Sequence, residues 1–95
     1  MLRKYELIFI IDATLEEEEI KAIVEKFKNM IETSAQLENI DEWGRRKLAY
    51  PINYKSEGYY VLINFSADAE FPRELDRVLR ITDGVVKSMI VKKEN

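Results

Sequence analysis

The side chains of this chain that could do chemistry are mostly charged, and they are segregated along it. Residues 12 to 42 hold ten acidic and three basic side chains, including the consecutive Glu16, Glu17, Glu18 and Glu19. From Trp43 to Ala67 the sign reverses, with four basic residues against one acidic, led by Arg45, Arg46 and Lys47. Arg3 and Lys4 add positive charge near the start, and Lys87, Lys92 and Lys93 near the close. Cationic donors held in a fixed frame suit phosphate binding, because a nucleic-acid backbone asks for charge and position more than for any particular side chain. The net charge of −3 does not oppose this, since local distribution decides where a polyanion is attracted.

Other chemistry is excluded by what is missing. The chain has no histidine and no cysteine. Serine-histidine triads and histidine-bearing zinc sites therefore drop out, as do disulfide frameworks, thiolate metal sites and cysteine nucleophiles. No phosphate-cradling glycine loop and no nucleophile elbow occurs. Glu6 is the one acid worth weighing as a catalytic group, and a surface ion pair with a neighbouring lysine explains it better. The glutamate run reads as a solvated helix face in preference to a cation site. No catalytic residue, metal ligand, cofactor or small-molecule substrate is expected.

Ninety-five residues, 46% apolar and 35% charged, suit one domain spanning residues 1–95 with a single two-layer core. The absence of cysteine fits a reducing cytosol, and the charged amino terminus has neither a signal sequence nor a membrane span near it. A soluble, cytoplasmic protein is expected.

The elements that position these residues follow from periodicity. Arg3 to Ile11 alternates, with Tyr5, Leu7, Phe9 and Ile11 in one register and Ile8 and Ile10 in the other, which predicts a strand. Thr14 and Glu17 have capping-box spacing, which predicts that a helix begins at Thr14. Its apolar stripe is Ile20, Ile23, Val24, Phe27, Met30 and Ile31, with the glutamates near the positive end of the helix dipole. Ala35 to Glu42 alternates weakly into Trp43-Gly44, a bulge or bend, after which the strand resumes over Arg46 to Ile52. Pro51 cannot donate to a ladder, so this strand belongs at an edge.

Asn53 to Glu57 reads as a turn, and Gly58 opens a third strand carrying Tyr59, Val61, Ile63 and Phe65 in one register and Tyr60, Leu62 and Asn64 in the other. Phe71, Leu75, Val78 and Leu79 stripe a second helix that starts near Pro72 and ends at Asp83-Gly84, before a fourth strand over Val85 to Lys92. Strand, helix, strand, strand, helix, strand, with right-handed crossovers, is the α+β, ferredoxin-like βαββαβ arrangement: a four-stranded antiparallel sheet with two helices on one face.

The uncovered sheet face of such a fold should be polar. Here it is expected to carry Ile8, Ile10, Tyr60 and Leu62, joined by Met89 and Val91 if the fourth strand keeps its register. A clustered apolar surface in water marks a docking site. Arg3, Arg45, Arg46, Lys47, Lys87 and Lys92 are expected to border it as RNA contacts.

The run Trp43-Gly44-Arg45-Arg46-Lys47-Leu48-Ala49-Tyr50-Pro51-Ile52 resembles the central signature of the ribosomal protein S-six family of the bacterial small (30S) subunit. Arg3, Tyr5 and Glu6 resemble its amino-terminal motif. Gly58-Tyr59-Tyr60, Leu79-Arg80-Ile81-Thr82-Asp83 and Met89-Ile90-Val91-Lys92 agree as well, so the likeness spans nearly the whole chain. It implies a ferredoxin-like fold, no catalysis, and a structural role in the small ribosomal subunit, binding small-subunit (16S) ribosomal RNA together with ribosomal protein S-eighteen. It also implies Arg3, Lys87 and Lys92 as RNA contacts and the open sheet as the protein-binding face. Members often carry arginine near Lys87, where lysine cannot make the two-pronged phosphate contact. Many also extend in a charged tail past the last strand, and tail-dependent docking is not carried over to this chain.

An RNA-recognition-motif-like single-stranded RNA-binding domain shares the topology, but it stacks bases on sheet aromatics. Ile8 and Ile10 stand where a first-strand aromatic would be needed. A small-molecule regulatory domain of the same fold would be marked by a specific pocket between two copies, and the sequence shows no ligand motif for one.

Overall fold

The computed structural model describes residues 2–52 and 55–93. The elements run β1 (Arg3–Asp12), α1 (Glu17–Ser34), β2 (Gln36–Ile52), β3 (Lys55–Ala67), α2 (Phe71–Ile81) and β4 (Val85–Lys92). The sheet order is β2-β3-β1-β4, and every neighbouring pair is antiparallel. The expected βαββαβ arrangement is therefore present, with β1 and β3 as the central pair and the proline-bearing β2 at an edge. Of the turn expected at Asn53 to Glu57, residues 53–54 lie outside the described residues, while β3 already begins at Lys55.

The alternation in β1 and β3 sorts directly into two faces. Tyr5, Leu7, Phe9 and Ile11 are buried together with Val61, Ile63 and Phe65, beneath Ile20, Val24, Phe27 and Ile31 of α1 and Leu75 and Leu79 of α2. Phe9 meets Phe27 edge-on with centroids 5.5 Å apart. Phe65 stacks on Tyr5 at 5.6 Å and meets Phe71 edge-on at 5.8 Å. Burying each large apolar side chain contributes about 1.5–3 kcal/mol, so this single cluster holds the helices to the sheet. Among the described residues, no helix is long and apolar enough to cross a membrane.

The start of α1 differs from the capping-box expectation. Thr14 donates both its backbone N–H (2.9 Å) and its hydroxyl (2.6 Å) to Asp12 Oδ1, and Leu15 N–H reaches Asp12 O at 3.3 Å. The hydroxyl is thus spent on a turn around Asp12, and α1 begins three residues later with Glu16 as an N-cap whose side chain makes no capping hydrogen bond. Aspartate competes well for local donors at the end of a strand. The acidic first turn of Glu17, Glu18 and Glu19 then stabilises the helix through its dipole.

Two glycines occupy left-handed backbone. Gly44 (φ 80°) lies where the β2–β3 register slips between Glu42 and Gly44, the bulge expected at Trp43-Gly44. Gly84 (φ 96°) turns the chain from α2 into β4.

Candidate functional site

Residues directly opposite on adjacent antiparallel strands project to the same face, so the ladder registers define the outer face in rows. One row is Gly44, Tyr60, Ile10 and Lys87, running from β2 across to β4. The next is Asp41, Leu62, Ile8 and Met89, and the third is Asn39, Asn64, Glu6 and Val91. The irregularity in β4 pairing falls between Ile10 and Ile11, beyond Met89 and Val91. Both keep the outward register, with exposures of 52% and 41%.

The face is therefore graded. Its apolar part comprises Tyr60, Leu62, Ile8 and Met89. Ile10 shares the face but is only 7% exposed, so it supports the surface from below. Toward the other end the rows become polar: Glu6 pairs with Lys93 at 3.4 Å, the surface ion pair expected for that acid. Ser66 hydrogen-bonds Glu38. Asn64 Oδ1 is shut from solvent and has no hydrogen-bond partner among the described residues, an arrangement that costs about 1–3 kcal/mol for a polar group.

Trp43 belongs to this face and escaped the sequence reading. Sitting at the bulge, it is re-aimed onto the outer side, where its ring stacks on Tyr60 (6.2 Å between centroids, 17° between planes). Its Nε1 donates to Asp41 Oδ2 at 3.1 Å, and the Arg46 guanidinium lies 5.8 Å from the ring centroid. The available signal was Gly44, since a bulge inserts one residue and shifts the register of its neighbours.

The six basic candidates do not form one rim. Lys87 ends the row through Ile10, and Arg46 is opposite Gly58, so both border the outer face at the β2–β3 hairpin end. Arg45 lies opposite Tyr59 in the inner register and donates to Ala13 O at 3.4 Å, tying the β1–α1 loop to β2. Lys47, opposite Glu57, shares that register. Arg3 and Lys92 lie at the far end of the sheet, opposite Ala67 and Tyr5 respectively. Tyr59 beside Arg45 donates its hydroxyl to Glu42 Oε1 at 2.9 Å. Its pKa is raised above the ordinary phenol value, first by burial and then by the Glu42 contact.

Acidic side chains concentrate on the opposite side of the molecule: Glu16 to Glu19, Glu25 and Glu32 are exposed on or beside α1, which packs on the inner face. Among the described residues, no three acidic side chains converge as a metal would require.

Against known proteins, the family model described as ribosomal protein S6, the S-six family, matches residues 4–92. The chain is 60% identical over 94 residues to the small ribosomal subunit protein bS6 of Clostridium novyi, covering 98% of this chain and 99% of that one. It is 56% identical to the protein of the same name from Clostridium botulinum, covering 98% and 100%. The crystal structure of 30S ribosomal protein S6 from Thermotoga maritima superposes with a TM-score of 0.92 at 32% identity, covering 98% of this chain and 89% of that one. An uncharacterised Thermotoga maritima protein shares the fold alone, with a TM-score of 0.65 at 16% identity.

Proposed function

The chain belongs to the ribosomal protein S6 family, and from that premise we propose that it binds 16S ribosomal RNA together with ribosomal protein S-eighteen, using its open sheet face for the protein. It is a structural protein of the small ribosomal subunit and not an enzyme. One observation carries the finer reading: an apolar surface of Tyr60, Leu62, Ile8 and Met89 stands on the uncovered face, with Lys87 and Arg46 at its border and the acidic helix behind the sheet. Apolar area of this kind gains free energy when covered. Phosphates are attracted to the basic border and repelled by α1, so the charge layout orients the protein on RNA.

Lys87 is the RNA contact we assign first, because it lies in the same row as the docking surface, where RNA and protein would meet. Arg3 and Lys92 offer a second phosphate contact at the far end of the sheet. Single-strand recognition by stacking is disfavoured, since Ile8, Ile10 and Leu62 take the central positions and Tyr60 is already stacked on Trp43.

The test is RNA binding with and without S-eighteen, using a 16S fragment and an unrelated RNA of equal length. Tight, specific binding is expected only with both proteins present. Lys87→Ala should weaken it on every RNA tested and reduce the salt slope by about one. Equal binding of this chain alone to both RNAs would overturn the proposal.

A further inference from the structure

We propose that Trp43, held by Asp41, Tyr60 and Arg46, is the anchor of the protein-docking surface, an apolar side chain of the docked protein seating against its indole. The inference rests on the reading of the open face as a docking surface. Trp43 is 40% exposed, yet it is held in place on several sides: Asp41 fixes its Nε1 at 3.1 Å, Tyr60 stacks against the ring, and Arg46 lies 5.8 Å from its centroid. A large side chain already held in one orientation loses little further freedom when covered, which favours affinity. Tryptophan, tyrosine and arginine are also the residue types that carry most binding energy at protein interfaces, and here Tyr60 and Arg46 both lie beside Trp43.

The occupant is a protein and not a nucleobase, for reasons of charge and geometry. The Asp41 carboxylate at the edge of the indole repels a nucleotide's phosphate. Tyr60 already occupies a stacking position on the ring. The surface continues from Tyr60 into Leu62, Ile8 and Met89, which suits apolar side chains and offers no second platform for a base.

Trp43 is the sole tryptophan, so its emission reports directly on this site. Adding S-eighteen should shift the emission to shorter wavelength, and a single-stranded RNA oligonucleotide should leave it unchanged. By calorimetry, Trp43→Ala should weaken S-eighteen binding at least about tenfold, while Asn39→Ala at the polar end stays within about twofold. Asp41→Ala, which frees the indole without removing it, should weaken binding to an intermediate degree. It serves as the second variant if circular dichroism shows that Trp43→Ala is unfolded. If both variants bind like the parent while Ile8→Asp and Met89→Asp do not, the anchor is wrong and the docking face stands. If none of these changes matters, the docking face itself is wrong. An emission response to the oligonucleotide but not to the protein would make this a nucleobase site and overturn the inference.

Discussion

Replacing Gly58 by alanine tests the packing of the outer face where an added Cβ would meet Ile10. Gly58 is in β3 opposite Arg46, and a Cβ there would stand 2.3 Å from Ile10 Cγ2, 3.3 Å from Leu48 Cδ2 and 3.7 Å from Tyr60 Cε1. The Leu48 methyl ends a flexible chain and can yield, and the Tyr60 contact is ordinary. Ile10 Cγ2 cannot yield so easily, because it branches at Cβ of a stiff rotamer on a central strand. Without that contact, Gly→Ala at such a strand position would stabilise by about 0.4–1 kcal/mol, through lost freedom in the unfolded chain. Overpacking instead costs about 1–3 kcal/mol, so Gly58→Ala is expected to destabilise. For a domain of this size the loss corresponds to a fall in Tm of roughly 5–20 °C. The assay is thermal and urea unfolding of a double-mutant cycle with Ile10→Ala, which removes the opposing methyl. In that background Gly58→Ala should be neutral or stabilising, giving a coupling of at least about 1 kcal/mol. A Gly58→Ala protein as stable as the parent, or equally destabilised in both backgrounds, would refute the reasoning.

Two further outcomes follow from the core and from the Tyr59 network. Phe27 is fully buried against Phe9, so Phe27→Ala should cost about 3–5 kcal/mol in urea unfolding, and a loss below about 1 kcal/mol would mean that α1 is not seated as described. Because the Tyr59 pKa is raised in the folded state, its contribution is intact below the unfolded phenol value near 10 and is lost as pH climbs through the folded value. The stability difference between the parent and Tyr59→Phe should therefore change in favour of the variant above about pH 10, and parallel Tm curves across that range would contradict it.

Periodicity carried the fold because its cause is local. The two registers of β1 and β3, the stripes of α1 and α2, and the glycine at the bulge each depend on residues within a few positions of one another. Where local rules competed, sequence reading erred: Thr14 has the spacing of a capping residue, yet Asp12 two positions earlier takes its hydroxyl. The apolar part of the outer face was legible in outline, since Ile8 and Leu62 could be sorted by parity alone. Trp43 was not, because a bulge changes parity for the residues around it and its place on a face depends on the strand alongside.

Residue order by itself determined the segregation of charge, the βαββαβ order, the absence of histidine and cysteine chemistry, and the signature from Trp43 to Ile52. Tertiary structure alone decided that Ile10 supports the surface from below, that Arg45 turns to the β1–α1 loop while Arg46 lies over Trp43, and that Arg3 and Lys92 stand apart from Lys87. The physical reason is that burial and facing are properties of pairs. A side chain's environment is set by the register of strands distant in sequence, and one inserted residue in a ladder reassigns it.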